Sequence, residues 1–134
     1  MTNIVIDTNV LVSALLSPTG NPAKITTLMT DTNKISVFYS VDILREYSRV
    51  LAYEKLKISK EKQKTMIDAL INVGYFIKPA TSIIPMPDET DRIFYDTATT
   101  SSAILITGNM KHYPTADFIM TPTDFLATLQ EATP

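Results

Sequence analysis

Cysteine is absent from the 134 residues. That excludes disulfides, zinc–thiolate sites and thiol redox chemistry, and it fits a reducing cytoplasm, the compartment expected for this chain. Long apolar runs are absent as well. Nothing approaches the roughly 20 residues that span a bilayer. The first residues lack the basic, apolar, small-residue order of a secretory signal, so no membrane association is expected. Nor is there an excess of charge of either sign. The 12 Lys and Arg stand against 14 Asp and Glu, for a formal net charge of −2. That balance does not mark a nucleic-acid binder, but it does not exclude one. A site built from carboxylates is acidic by construction, and a bound cation reverses its local field. No internal repeat or low-complexity tract divides the chain, and residues 1–134 read as one domain long enough to bury a core. Histidine occurs once, at position 112.

What is present is an alternation of two periodicities. Ile4, Val5 and Ile6 form a short apolar strand that runs into a helix near Thr8, with Val10, Leu11, Ala14 and Leu15 on one face. Ser17 to Pro22 is a break. A second helix is expected from Pro22 to Asp31, and Ile35 to Tyr39 is rich enough in β-branched and aromatic residues for a second strand. Ser40 is placed to cap the next helix, whose stripe is Ile43, Leu44, Tyr47, Val50 and Leu51. Ser59 caps another, with Met66, Ile67, Leu70 and Ile71 inward and Gly74 as its stop. Tyr75 to Ile77 reads as a short strand and Pro79 to Pro87 as loop. Asp88 to Asp91 open a further helix that carries Ile93, Phe94, Thr97 and Ala98. Ala103 to Thr107 is a buried strand closed by a turn at Gly108 and Asn109, and Phe118 to Met120 is a last strand. Thr121 caps the final helix, with Pro122 in its first position and Leu126 and Leu129 facing inward. Strands alternating with helices imply an α/β sandwich with a mainly parallel sheet and right-handed crossovers.

The chemistry is expected at the carboxyl ends of the strands, where open α/β sheets bind ligands. Asp7 ends the first strand. Glu46 in the third helix and Asp91 at the start of a later one can converge on the same edge. Three carboxylates gathered there would hold a divalent cation such as Mg²⁺ or Mn²⁺, with Asp7 and Asp91 as the ligands. Each acid also has a simpler reading: Asp7 as a helix cap, Glu46 as an i, i+3 partner of Arg49, Asp88 and Asp91 as acids favoured by a helix N-terminus. Asn9, Ser13, Thr107 and Asn109 are polar residues at the same strand and helix ends, positioned to contact ligands or substrate. Lys111, His112 and Tyr113 follow the Gly108–Asn109 turn and could reach phosphates and a base face. His112 is not assigned general-base duty. Asp96, five residues beyond Asp91, points away from it along a helix.

Val5-Ile6-Asp7-Thr8-Asn9-Val10-Leu11-Val12-Ser13 resembles the opening motif of PIN-domain ribonucleases. Glu46 matches the second acidic position of that family. Asp91 to Ala98 resembles the third motif, and Ile104 to Asn109 the fourth, a strand followed by Thr, a small residue and usually an aspartate. The resemblance covers nearly the whole chain, from Ile4 to Leu129, and is greatest to the VapC-like toxin branch. It implies a PIN-like three-layer α/β/α sandwich. It also implies metal-dependent endonucleolytic cleavage of RNA, a homodimer, and a cognate antitoxin protein that blocks the cleft. By that resemblance Asp7, Glu46 and Asp91 are the catalytic acids. Asn109 departs from the pattern, since many relatives carry aspartate there. An amide can still coordinate through oxygen but brings no charge. Two alternatives are a non-catalytic PIN-like RNA-binding module and a phosphatase using a nucleophilic aspartate.

Overall fold

The computed structural model describes residues 2–31 and 33–131, with Glu131 described by its backbone alone. Five strands and six helices follow in order: β1 (Thr2–Ile6), α1 (Thr8–Leu16), α2 (Asn21–Leu28), β2 (Ile35–Tyr39), α3 (Val41–Leu51), α4 (Lys60–Val73), β3 (Tyr75–Phe76), α5 (Arg92–Ser101), β4 (Ile104–Ile106), β5 (Ile119–Met120) and α6 (Pro122–Glu131). Short 3₁₀ turns occupy residues 54–56, 89–91 and 110–112.

Ile4, Val5 and Ile6 are all 0% exposed. Successive strand residues point to opposite faces, so β1 is covered on both sides, the signature of a parallel sheet between two helix layers. All four strand pairings are parallel, and the order is β3-β2-β1-β4-β5. The chain moves outward from β1 through β2 to β3. It then returns across the sheet, with α5 packed against β1, β2 and β4, and continues outward on the other side. A right-handed crossover made in the reverse direction puts its helix on the reverse face, which yields the α/β/α sandwich. The strand order therefore switches direction between β1 and β4, and their carboxyl ends diverge to leave a crevice.

The local signals explain most boundaries. Ser40 Oγ accepts from Ile43 N and Ser59 Oγ from Lys62 N, each capping its helix. Thr121 Oγ1 accepts from Asp124 N at the start of α6. α2 stops at Leu28 rather than Asp31, whose carbonyl instead accepts from Lys34 N in the turn leading to β2. β4 and β5 are each shorter than their apolar runs. The 88–91 segment is a 3₁₀ turn capped by Asp88 before α5 begins at Arg92. Gly74 follows α4 with φ −88°, so the left-handed conformation is not its role. A Cβ there would meet Leu70 O at 2.5 Å and the Tyr39 ring at 2.8 Å, so Gly74 is needed for close approach of α4 to β2.

Candidate metal centre

Asp7 lies at the switch of strand direction, 5% exposed, with its N–H donating to Ile106 O of the neighbouring strand. It occupies the N-cap position of α1, yet its side chain caps nothing. Oδ2 accepts instead from Thr107 Oγ1 at 2.9 Å and from Tyr113 Oη at 2.8 Å. Both donors come from the far side of β4, and both residues are buried. Burial, and then the Asp7 charge, push the Tyr113 phenol well above its ordinary range, which keeps it a proton donor. Burial and Asp7 act in the same sense on Tyr47, whose hydroxyl donates to Ile6 O. Asp7 thus sits among neutral donors, with no cation beside it among the described residues.

Asp91 faces it from the start of α5. It too stands at an N-cap position without capping. Its Oδ2 is buried and receives no hydrogen bond. Burial, then the charges of Asp7 and Asp88, push its carboxyl up to about 6, against a smaller opposing effect of His112. A carboxylate so placed has no counter-charge but the His112 ring, and that only when the ring is protonated. Asp88 differs, because the hydroxyl and the amide of Thr90 both donate to its Oδ1 and hold it below the usual carboxylate range. His112 Nδ1 is 3.2 Å from Asp91 Oδ2. One ligand atom from each of Asp88, Asp91 and His112 lies within 4.8 Å of the others. The buried Asp91 oxygen that no donor reaches, the Asp88 carboxylate and the adjacent imidazole fit a divalent cation; Asp7 acts on Asp91 through its charge but is not one of these three.

The remaining residues singled out in the sequence fall into two groups. Asn9, Thr107 and Asn109 join the Asp7 network. Asn9 Oδ1 accepts from Gly108 N at 2.9 Å and its amide reaches Thr107 Oγ1 at 3.5 Å, while Asn109 N donates to Thr107 Oγ1 at 3.0 Å. Glu46 and Ser13 do not join it. Both Glu46 carboxylate oxygens go to Arg49, at 2.6 and 3.3 Å. Ser13 is exposed, one turn beyond Asn9 on α1. Asp96 is buried on the other side of α5, where its Oδ2 accepts from Ser82 N. With Arg92, which donates to Ser82 and Ile84, it pins the proline-rich loop. Tyr113, expected to face substrate with Lys111 and His112, instead turns its hydroxyl inward to Asp7. Tyr47 falls within an apolar stripe, and nothing local marks its hydroxyl.

The model for the PIN domain matches residues 3–111. The chain belongs to the PIN domain family. Members are in general hydrolytic nucleases that use divalent metals, and the acidic cleft of this PIN domain has donors for one. The protein MJ1680 of Methanocaldococcus jannaschii is 36% identical over 109 residues, 79% of this chain and 70% of that one. Among solved structures, VapBC2 from Rickettsia felis bound to a DNA fragment from its promoter is similar at TM-score 0.55 and 18% identity, over 82% of this chain and 90% of that one. PAE2754 from Pyrobaculum aerophilum is similar at TM-score 0.62 and 10% identity, over 97% and 90%. At these identities the two structures bear on the fold, which is that of a PIN domain. No helix among the described residues is long and apolar enough to cross a membrane.

Proposed function

We propose that this PIN domain is a cytoplasmic, Mg²⁺- or Mn²⁺-dependent endoribonuclease, a homodimer acting on single-stranded RNA and restrained by a cognate antitoxin. The observation that carries the reading is the buried Asp91 oxygen, without a hydrogen-bond donor, beside buried Asp7 at the switch of strand direction. The toxin–antitoxin part draws on the fold shared with the toxin–antitoxin complex VapBC2.

Asp7 and Asp91 would hold the ion. When bound, it supplies positive charge that polarises a phosphoryl oxygen and eases deprotonation of a water. Thr107 and Tyr113 fix the Asp7 side chain through one oxygen and leave Oδ1 free of hydrogen bonds among the described residues. Asn9 holds the 107–109 turn by its Gly108 contact, and Asn109 is carried on that turn beside the acids. A bare backbone at Gly108 lets the turn approach Asn9, since a Cβ would lie 3.2 Å from Asn9 Oδ1. Glu46, the third acid of this reading, would have to leave Arg49 to act there; that exposed pair is solvent-screened and contributes little. Ser13 and Lys111, both exposed, would meet the RNA backbone.

Asp7→Asn tests the reading. Asparagine keeps an oxygen for Thr107 and Tyr113, so the fold should persist. Metal-dependent cleavage of a single-stranded RNA should fall at least about a hundredfold, because a charged ligand is lost. Equal cleavage by variant and parent would overturn it. The Glu46–Arg49 pair and the neutral Asn109 favour one second reading, a PIN domain that binds RNA without cutting it. Tight RNA binding with no turnover at saturating Mn²⁺ would support that instead. Apart from the placement of Asp7 at a strand end, nothing favours the phosphatase alternative.

A further inference from the structure

His112 is the only histidine in the chain, and its ring is exposed on one side at the end of the 110–112 turn. The other side faces the acids. Nδ1 stands 3.2 Å from Asp91 Oδ2, an ion pair when the ring is protonated, but the contact is not aligned well enough to count as a geometric hydrogen bond. The separation has another meaning. Two ligand atoms in adjacent positions of an octahedral ion, each at about 2.1 Å, lie about 3 Å from one another. Asp91 Oδ2 and His112 Nδ1 already have that spacing, and a carboxylate oxygen of Asp88 is close enough to share the same ion.

The second ring nitrogen supports the same assignment. His112 Nε2 is 2.9 Å from the Asn109 side-chain amide. The two ends of an amide exchange by half a turn, and which end faces the ring is an assignment. With Oδ1 toward the ring, Asn109 accepts the Nε2 proton and leaves the Nδ1 lone pair directed at the acids. Imidazoles that bind metals are held in this way by an oxygen on their second nitrogen.

We infer that His112 is a metal ligand beside Asp91, with Asn109 as its positioning residue. This rests on the metal reading above and deepens it. Its consequence is selectivity: an imidazole ligand favours first-row transition ions, increasingly along the series after Mn²⁺, over Mg²⁺, which prefers oxygen.

The test uses Mn²⁺ alone, with no RNA. Calorimetric titration gives the affinity, and pulsed electron paramagnetic resonance reads whether a nitrogen is bound to the ion. The parent should bind Mn²⁺ and show nitrogen modulation from one imidazole. His112→Ala, a change at a partly exposed side chain, should lose that modulation. Its Mn²⁺ affinity should weaken by about ten- to a hundredfold, with a smaller effect on Mg²⁺. Added imidazole should restore the modulation to His112→Ala. Mn²⁺ bound to the parent without nitrogen modulation, and released by Asp91→Asn, would overturn the role of His112 while leaving the metal reading intact. An unchanged Mn²⁺ affinity in His112→Ala would do the same. Failure of the parent to bind Mn²⁺ would overturn both.

Discussion

Replacing Asp91 by asparagine should make the metal-free protein more stable at neutral pH. Asp91 has its carboxyl pushed from the usual 3.8 to about 6, first by burial and then by Asp7 and Asp88. A displacement of that size corresponds to at most roughly 3 kcal/mol once the group is ionised. Solvent reaches the cleft and screens the charges, so about 1–2 kcal/mol is the expected effect. The sign follows from proton binding. The folded pKa is the higher one, so between pH 3.8 and about 6 the folded state holds more protons than the unfolded state. Stability therefore falls as pH rises through that window, and the full penalty applies above it. Asparagine is neutral throughout. In urea unfolding followed by circular dichroism with EDTA present, variant and parent should differ little near pH 4 on this account. By pH 7.5 the variant should be ahead by about 1–2 kcal/mol, or roughly 3–8 °C in Tm. Saturating Mn²⁺ should reverse the order, because ligand binding to the folded state raises only the parent. A stability difference independent of pH, or a variant less stable at pH 7.5, would refute the argument that Asp91 is an ionised acid short of a counter-charge.

Two further outcomes rest on other contacts. Tyr113→Phe removes a buried donor to Asp7, at 2.8 Å, and should lower the unfolding free energy by about 1.5–3 kcal/mol; unchanged urea unfolding would show that Thr107 alone suffices. Gly74→Ala puts a Cβ 2.5 Å from the Leu70 carbonyl and 2.8 Å from the Tyr39 ring, and should destabilise by about 1–3 kcal/mol. A neutral or stabilising effect in the same assay would mean that α4 can shift away from β2.

The parallel sheet was legible because its central strand is continuously apolar and its helices carry clear stripes and caps. Ile4 to Ile6 and the stripe of α3 suffice to place the layers. The acids were legible only as candidates. A helix cap and a metal ligand call for the same residue type at the same position, and Asp7 and Asp91 both stand at N-cap positions. Only the coordinates show that neither side chain is spent on its helix. Glu46 illustrates the converse. Its spacing to Arg49 is local, and the ion pair forms as that spacing allows. Thr107 and Tyr113 are legible as polar residues near the site but not as supports of Asp7, because that role depends on where the chain returns after β4. Tyr113 is 106 residues from the acid it holds. Gly74 was read as a helix stop, whereas its backbone angles are ordinary and the constraint comes from a strand that periodicity cannot see.

The clasp on Asp7 also sets an order of events during synthesis. Thr107 and Tyr113 follow the acid in the chain by 100 and 106 residues. A nascent chain that has passed Asp7 alone carries the carboxylate without the hydroxyls that orient it, and β4 is not yet there to dock beside β1. The ribosome must pass residue 113 before the clasp can close, so the cleft forms only once both halves of the sheet have been made.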